Sequence, residues 1–424
     1  MGEESQNQSE AAEKLNDCHN YPPKHCRFKS HRLESFSRAF QIFQFWPAMR
    51  DHYETQNNSQ NNQPPIAKNE QKLYHIPYYN MKVLAIETSC DETAIAFIEA
   101  TGGLKSPKFK ILKNEISSQI EIHRPYGGVF PALAKREHLK NLPLVFKKIS
   151  ARADILKPDI IAVTVGPGLE PCLWTGINFA KEIQKKYFPK AKLIGANHLE
   201  GHLYSFLLQQ KTGISKSEFL ISKLFPAVAL IVSGGHTILL LMESLIKWKK
   251  LGKTLDDAVG ESFDKVARML ELPYPGGPEI EKLATHGNPK AINFPRPMLN
   301  QKNYNFSFSG LKTSVLYYLR DHPEISKSDI AASFQKAAID VLVAKTTRAV
   351  KEFNAKSIML SGGVAANKEL RKALQTTTYQ LQTNFLAPPQ KFNTDNAAMI
   401  AVAAYINSLQ NKNRRLTADS NLNL

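Results

Sequence analysis

Nowhere does this chain carry an apolar run approaching the roughly 20 residues a bilayer demands, so a membrane-spanning helix is not expected. Its first residues also lack the charged-then-apolar pattern of a signal peptide. The Met1-Gly2 start fails the myristoylation pattern at Gln6, where Ser or Thr is required. Cysteine is scarce: Cys18, Cys26, Cys90 and Cys172 are scattered through 424 residues, which fits a reducing compartment better than a disulfide scaffold. Cys18-His19 and His25-Cys26 leave a small zinc site as an alternative for two of them. Acidic residues fall short as well, 38 against 55 Lys and Arg. Residues 1–80 hold nine of each sign, so the whole excess of +17 belongs to residues 81–424. A folded body that basic is expected to meet a polyanion, with nucleic acid foremost, although lysine can also simply keep a surface solvated.

Residues 1–80 show no sustained periodicity. They run through Gln56-Asn57-Asn58-Ser59-Gln60-Asn61-Asn62-Gln63 and read as a disordered tail, with one aromatic patch from Phe36 to Trp46. Pattern starts abruptly at Met81, where translation itself could begin. Lys82 to Ile98 reads as strand, polar turn, strand, with Glu87, Thr88, Ser89, Asp91 and Glu92 gathered at a tip that is either built for ligands or an ordinary polar turn. A second such hairpin runs from Pro226 through Ser233-Gly234-Gly235-His236-Thr237 to Leu241. Two further strands end in glycine, Ile160–Val165 at Gly166-Pro167-Gly168 and Lys356–Leu360 at Ser361-Gly362-Gly363. Bare glycine amides at strand-to-helix junctions accept phosphate oxygens, so these junctions together predict a nucleotide site. Ser309-Gly310-Leu311-Lys312-Thr313 is not a Walker A loop, because it lacks the upstream glycine and interposes a leucine.

Chemistry concentrates at Asn197-His198-Leu199-Glu200-Gly201-His202. Two imidazoles four residues apart on a helix point the same way and can grip one metal ion. Gly201 between them costs about 1 kcal/mol relative to alanine, which predicts that something approaches the backbone there. Asp395, before the alanine-rich helix Ala397–Leu409, is either a cap or a third ligand. Asp264, on an amphipathic helix, either holds a ribose hydroxyl or pairs with Lys265 or Arg268. The basic segment Ala132–Asn141 is expected to be helical, and the residues after Gln410 are expected to be frayed.

Seven motifs then stand in one order: Glu87–Thr93, Asn197–His202, Ser233–Thr237, Tyr274–Pro278, Phe306–Thr313, Ser361–Asn367 and Thr394–Ala397. Over about residues 81–410 the chain closely resembles the tRNA N6-adenosine threonylcarbamoyltransferases, the TsaD family. That resemblance implies an α/β fold of two related actin-like or sugar-kinase-like lobes (RNase H-like) around a nucleotide cleft. The first lobe would span 81–203, completed by a returning C-terminal helix 392–410, and the second 204–391, with 411–424 frayed. It implies a threonylcarbamoyl-adenylate donor and a tRNA acceptor, with no membrane. It also implies a smaller paralogous subunit and an ATPase as partners, in the cytoplasm or, in the form that acts without them, the mitochondrial matrix. Carried over residue by residue, His198, His202 and Asp395 match the ligands of a divalent metal, Fe2+ or Zn2+ with iron favoured. Ser233, Gly234, Gly235, His236, Thr237, Asp264, Gly277 and Asn367 match the donor-binding residues, and no catalytic residue beyond the metal site is implied. Departures are Ala132 where the family commonly has glutamate, Glu170, Pro171 and Trp174 where it has small residues, and about ten extra residues between His202 and Pro226.

Rival readings of the chain are a zinc protease, a kinase of the same superfamily, which would not need the histidine pair, and a non-enzymatic regulatory subunit, which would not need every metal-ligand position filled. In the protease motif the glutamate directly follows the first histidine. Here Leu199 takes that slot, and Glu200 lies about 200° around the helix from His198.

Overall fold

The computed structural model describes residues 80–150, 157–208 and 221–424. The expected tail, its two Cys-His pairs, its aromatic patch and most of the insertion before Pro226 lie outside the described residues.

Two five-stranded sheets repeat one plan. In the first, β1 (Met81–Glu87), β2 (Glu92–Thr101) and β3 (Lys108–Ser118) form an antiparallel meander, and β4 (Ile160–Gly166) and β5 (Lys192–Asn197) join β1 in parallel, giving the order β3-β2-β1-β4-β5. In the second, β6 (Ala227–Val232), β7 (Thr237–Ser244) and β8 (Lys247–Lys253) form the meander, and β9 (Ser357–Ser361) and β10 (Asn384–Leu386) join β6 in parallel. The two sheets are thus related, as the resemblance implies. The strand ends at Glu87, Gly166, Val232 and Ser361 sit where antiparallel pairing gives way to parallel, the switch point at which α/β sheets bind ligands.

The central strands read as continuous apolar runs because both faces are covered. α1 (Pro131–Ser150) and α2 (Glu170–Tyr187) pack on one face of the first sheet through Leu142, Val145, Phe146, Ile177 and Ile183. The basic segment expected to be helical runs on through Pro143, which forfeits one backbone hydrogen bond. Burial of Val145, Phe146 and Ile149 beyond it holds the helix together. On the second sheet α4 (Val259–Met269), α5 (Gly276–Ala284) and α7 (Lys327–Glu352) cover the outer face, while α6 (Ser309–Asp321) and α8 (Lys368–Gln380) complete that half. Between the sheets lie α3 (His198–Tyr204) and α9 (Ala397–Leu409), which share one core with β1, β2, β6 and β7. Alanine on every side of α9 permits this, since a helix apolar all round can be enclosed and small side chains let strands approach it. Among the described residues no helix is long and apolar enough to cross a membrane.

β3 and β8 carry no expectation from the sequence. Each is one of the two outer strands of its sheet, half exposed and rich in lysine, a composition that blunts an edge and hides the strand.

The residues after Gln410, expected to be frayed, instead form a strap over β5 and the loop after β4. Arg414 pairs with Gly195 across an antiparallel bridge, Asp419 donates its amide to Val165 O at 2.8 Å, and Asn197 Nδ2 donates to Asn423 O at 3.0 Å. Leu416, Ala418 and Leu422 pack on the core. The polar composition misleads because most of the polar bonds are made by backbone. One is ionic: Arg414 Nη2 lies 2.6 Å from Oε1 of Glu200, whose other oxygen accepts from Asn407 Nδ2 at 2.6 Å. Arg414→Met should destabilise the fold by about 3 kcal/mol, since it strands a carboxylate that is 2% exposed, and Glu200→Met added to it should recover much of the loss. Denaturant unfolding at constant m checks both.

Candidate metal centre and cleft

Asn197 ends β5 and caps α3, its Oδ1 accepting from Leu199 N at 2.7 Å and Glu200 N at 3.3 Å. The helix therefore starts at His198, and one turn later His202 stacks edge-on against it with ring centroids 4.7 Å apart. A Cβ on Gly201 would come within 3.0 Å of Ile400 and Met399, so the close approach predicted there is made by α9. At the start of that helix the cap is Asn396, whose Oδ1 accepts from Met399 N. This leaves Asp395 free of capping, and its Oδ1 lies 3.1 Å from His202 Nε2 and 3.4 Å from His198 Nε2. One atom from each of the three residues falls within 4.8 Å of the others.

Behind His198 stands Glu87, which the sequence places at a hairpin tip suited to ligands but does not link to the histidines. It is fully buried at the end of β1, with Oε2 3.0 Å from His198 Nδ1 and accepting from Thr164 Oγ1, and Oε1 accepting from Ser89 N. A carboxylate closing a buried strand was the available signal. It fixes the ring so that Nε2 faces Asp395, the arrangement that orients metal-ligating histidines.

Burial works against charge throughout this cluster. On His198 it is outweighed by Asp395 and Glu87, whose negative charge raises the imidazole's pKa well above its usual value and would equally favour a cation at Nε2. On Asp395 burial is likewise overcome by the His198 charge and the bonds from both imidazoles, leaving the carboxyl well below the usual carboxylate range. On His202 burial prevails and the pKa falls. Its Nδ1 is buried with no hydrogen-bond partner among the described residues. Two imidazoles and a carboxylate converging in this way fit a divalent metal ion.

His198 and Asp395 of the cluster line a cavity of about 390 Å³ whose walls come from both sheets. Ser233, Gly234, Gly235 and His236 line it from the turn after β6, and Gly363 and Asn367 from the junction after β9. A Cβ on Gly234, Gly235, Gly277 or Gly363 would meet nothing within 4 Å, so their backbone is open to a ligand. Gly362 is different. Its φ of 94° and a Cβ that would lie 2.2 Å from Val232 O admit only glycine where β9 passes β6. His236 is pushed down to about 4 by burial and by the two neighbouring histidines, so it is neutral at ordinary pH.

Asp264 faces the cavity rather than pairing with Lys265 or Arg268. Its Oδ1 accepts from Gly276 N at 2.7 Å, Lys265 binds Asp257 and Glu261, and Arg268 donates to Gly127 O. Burial pushes its carboxyl up despite the Gly276 and Gly277 amides. Thr237, expected among the donor-binding residues, does not line the cavity; it is fully buried and its Oγ1 accepts from Val259 N, anchoring α4. Asn367 does line it, but its side chain is spent on capping α8 at Leu370 N and on Gln335 Oε1. Ser89 and Asp91, from the hairpin tip expected to meet ligands, line the cavity, as do Tyr274 and Glu281, for which the sequence suggests no role on their own. Ser309 and Lys312 are held by Asp256 and Asp257 at the start of α6, outside the cavity.

Solved structures share the fold. A crystal structure of T. kodakarensis HypF matches with a TM-score of 0.50 at 16% identity over 79% of this chain and 48% of that one. Full-length HypF in a phosphate- and nucleotide-bound form matches at 0.52 and 12% over 78% and 47%. This chain spans about half the length of either. Relatives are far more similar in sequence. The tRNA N6-adenosine threonylcarbamoyltransferase of Thermosipho melanesiensis is 49% identical over 81% of this chain and 100% of its own, and that of Bacillus subtilis is 46% identical over 77% and 90%. The family model described by the same words matches residues 110–402. With that match and those identities, the chain belongs to the tRNA N6-adenosine threonylcarbamoyltransferase family.

Proposed function

We propose that this chain transfers the threonylcarbamoyl group from threonylcarbamoyl-adenylate to N6 of the adenosine 3′ of the anticodon in tRNAs reading codons that begin with A, releasing AMP. The observation that carries the reading is one cavity, walled by both sheets and by open glycine backbone of the second, that is lined by His198 and Asp395 with His202 against them.

The exocyclic amine of adenosine is a weak nucleophile, so rate must come from holding both substrates in line and from stabilising charge on the departing phosphate. Backbone at Gly234, Gly235 and Gly363 would cradle the nucleotide, and Asp264 would accept a ribose hydroxyl. Neutral His236 adds no second positive charge beside the ligand set. A divalent ion held by His198, His202 and Asp395 would supply Lewis-acid stabilisation to the leaving phosphate. We favour Fe2+ over Zn2+ from the family resemblance, as two imidazoles and one carboxylate accept either. The same resemblance supports a first lobe of 81–203 with 392–410, a second of 204–391, action in the cytoplasm, and a smaller paralogous subunit and an ATPase as partners. A protease reading would need a carboxylate beside the metal, whereas Glu200 is committed to Asn407 and Arg414.

His198→Ala, His202→Ala and Asp395→Ala should each lose bound metal and transfer together while the chain stays folded, with the melting temperature lowered for His198→Ala, which leaves the buried carboxylate of Glu87 without its imidazole. Glu87→Gln should weaken metal affinity about 10- to 100-fold through loss of ring orientation. Metal analysis and single-turnover transfer on each variant check this, and Asp395→Ala with undiminished metal and full transfer would sink the ligand assignment. Binding of tRNA should weaken with salt by about 0.7 to 0.9 log units per phosphate contact per log unit of salt. Titrations at several ionic strengths measure the slope, and a flat response would rule out tRNA as the polyanion this surface meets.

A further inference from the structure

Between β3 and α1 the chain makes a helical turn, Ile120–His123, and a tighter one, Arg124–Tyr126, then reverses at Gly127. This segment forms part of the cavity rim and is tied to it from both sides. Ile120 lines the cavity, and the preceding Gln119 donates its amide to Asp91 O at 3.0 Å. From the opposite wall Tyr274 O accepts from Arg124 Nε at 3.0 Å, and Arg268 donates to Gly127 O. Phe130 N donates to the buried ring of His123. So constrained, the backbone presents Tyr126 and Phe130 to solvent, 64% and 54% exposed. Their rings lie 24° from parallel with centroids 6.1 Å apart. Single exposed apolar residues are ordinary, but a stacked aromatic pair on a fixed rim beside a cavity is a binding feature.

We infer that Tyr126 and Phe130 form a platform on which an unpaired base flanking the acceptor adenosine stacks. The inference rests on tRNA being the acceptor. Charge decides between an RNA and a protein occupant. The first turns of α1 beside the pair expose Lys135 and Arg136, which form no ion pair among the described residues, while Glu137 is already matched to Lys140. Cations flanking aromatic faces suit a strand whose phosphates meet the cations and whose bases meet the rings. The acceptor base must also leave its neighbours to enter the cavity, and rings at the rim replace the stacking that its flanking neighbour thereby loses.

The test uses the full chain with its metal and any protein subunits that transfer requires. Tyr126→Ala with Phe130→Ala should raise the KM for tRNA roughly 5- to 150-fold, with kcat and donor KM nearly unchanged, and Tyr126→Trp alone should keep the parent value. A 2-aminopurine placed next to the acceptor adenosine should be quenched on binding by the parent and not by the double variant. The aromatic variant should keep the salt slope of tRNA binding, whereas Lys135→Ala with Arg136→Ala should lower it by about 0.7 to 0.9 for each phosphate that is no longer neutralised. An unchanged KM and quench in the double variant, with the parent active, overturns the platform. Weakened association with a protein subunit in place of the tRNA effect assigns the patch to a protein and overturns it too. A parent unable to transfer the group to tRNA overturns the proposed function and the platform with it.

Discussion

One half-buried carboxylate set between two imidazoles governs much of this architecture. Asp395 joins the start of α9 to α3, a helix 193 residues earlier in the chain. Charge held away from water survives only where opposite charge or hydrogen bonds surround it, and here Glu87, Ser89 and Thr164 complete the surround. Bringing the groups together forces α9 between the two sheets. That in turn requires Gly201 at the crossing with α3 and small side chains along α9.

The same physics shapes the cleft. Its walls contribute Asp91, Glu92, Asp264 and Glu281 besides Asp395, an acidic lining inside a body whose sum is strongly positive. An anionic donor enters such a space only where its charge is offset. Burial, reinforced by the neighbouring acids Asp91 and Asp395, pushes the carboxyl of Glu92 well up. Open glycine amides and a cation between the histidines and Asp395 would answer the phosphate directly. The basic surface then serves a different step, attraction of a polyanion from outside.

The sequence made the strand-to-glycine junctions, the histidine pair and the meaning of Gly201 legible, because each is a local pattern with a local physical cost. Asp395 was left by its own neighbours as either cap or ligand, and the family resemblance favoured ligand. Geometry gives the capping to Asn396 and leaves Asp395 against the imidazoles. What escaped was set by neighbours distant in sequence. Edge strands β3 and β8 look like charged loop because one face meets water. The strap after Gln410 looks frayed because its bonds are mostly made by backbone. Thr237 stands within a ligand-binding motif, yet its hydroxyl is taken by the first amide of α4, an arrangement that spacing alone does not reveal. Glu87 was visible as a buried strand-end carboxylate but had no partner until the fold brought His198 to it.

The late arrival of Asp395 bears on how the protein is made. A ribosome adding about 5 to 20 residues per second emits His198 and His202 roughly 10 to 40 s before their carboxylate partner. Glu87 is already present in that interval, so His198 has an anion on one side while the other stays open. Two imidazoles with no third donor form an incomplete seat, and the first sheet lacks the helix that closes its inner face. Metal capture is thereby coupled to synthesis of the second sheet and the return of α9. An ion acquired by this route would report that both halves of the chain have met.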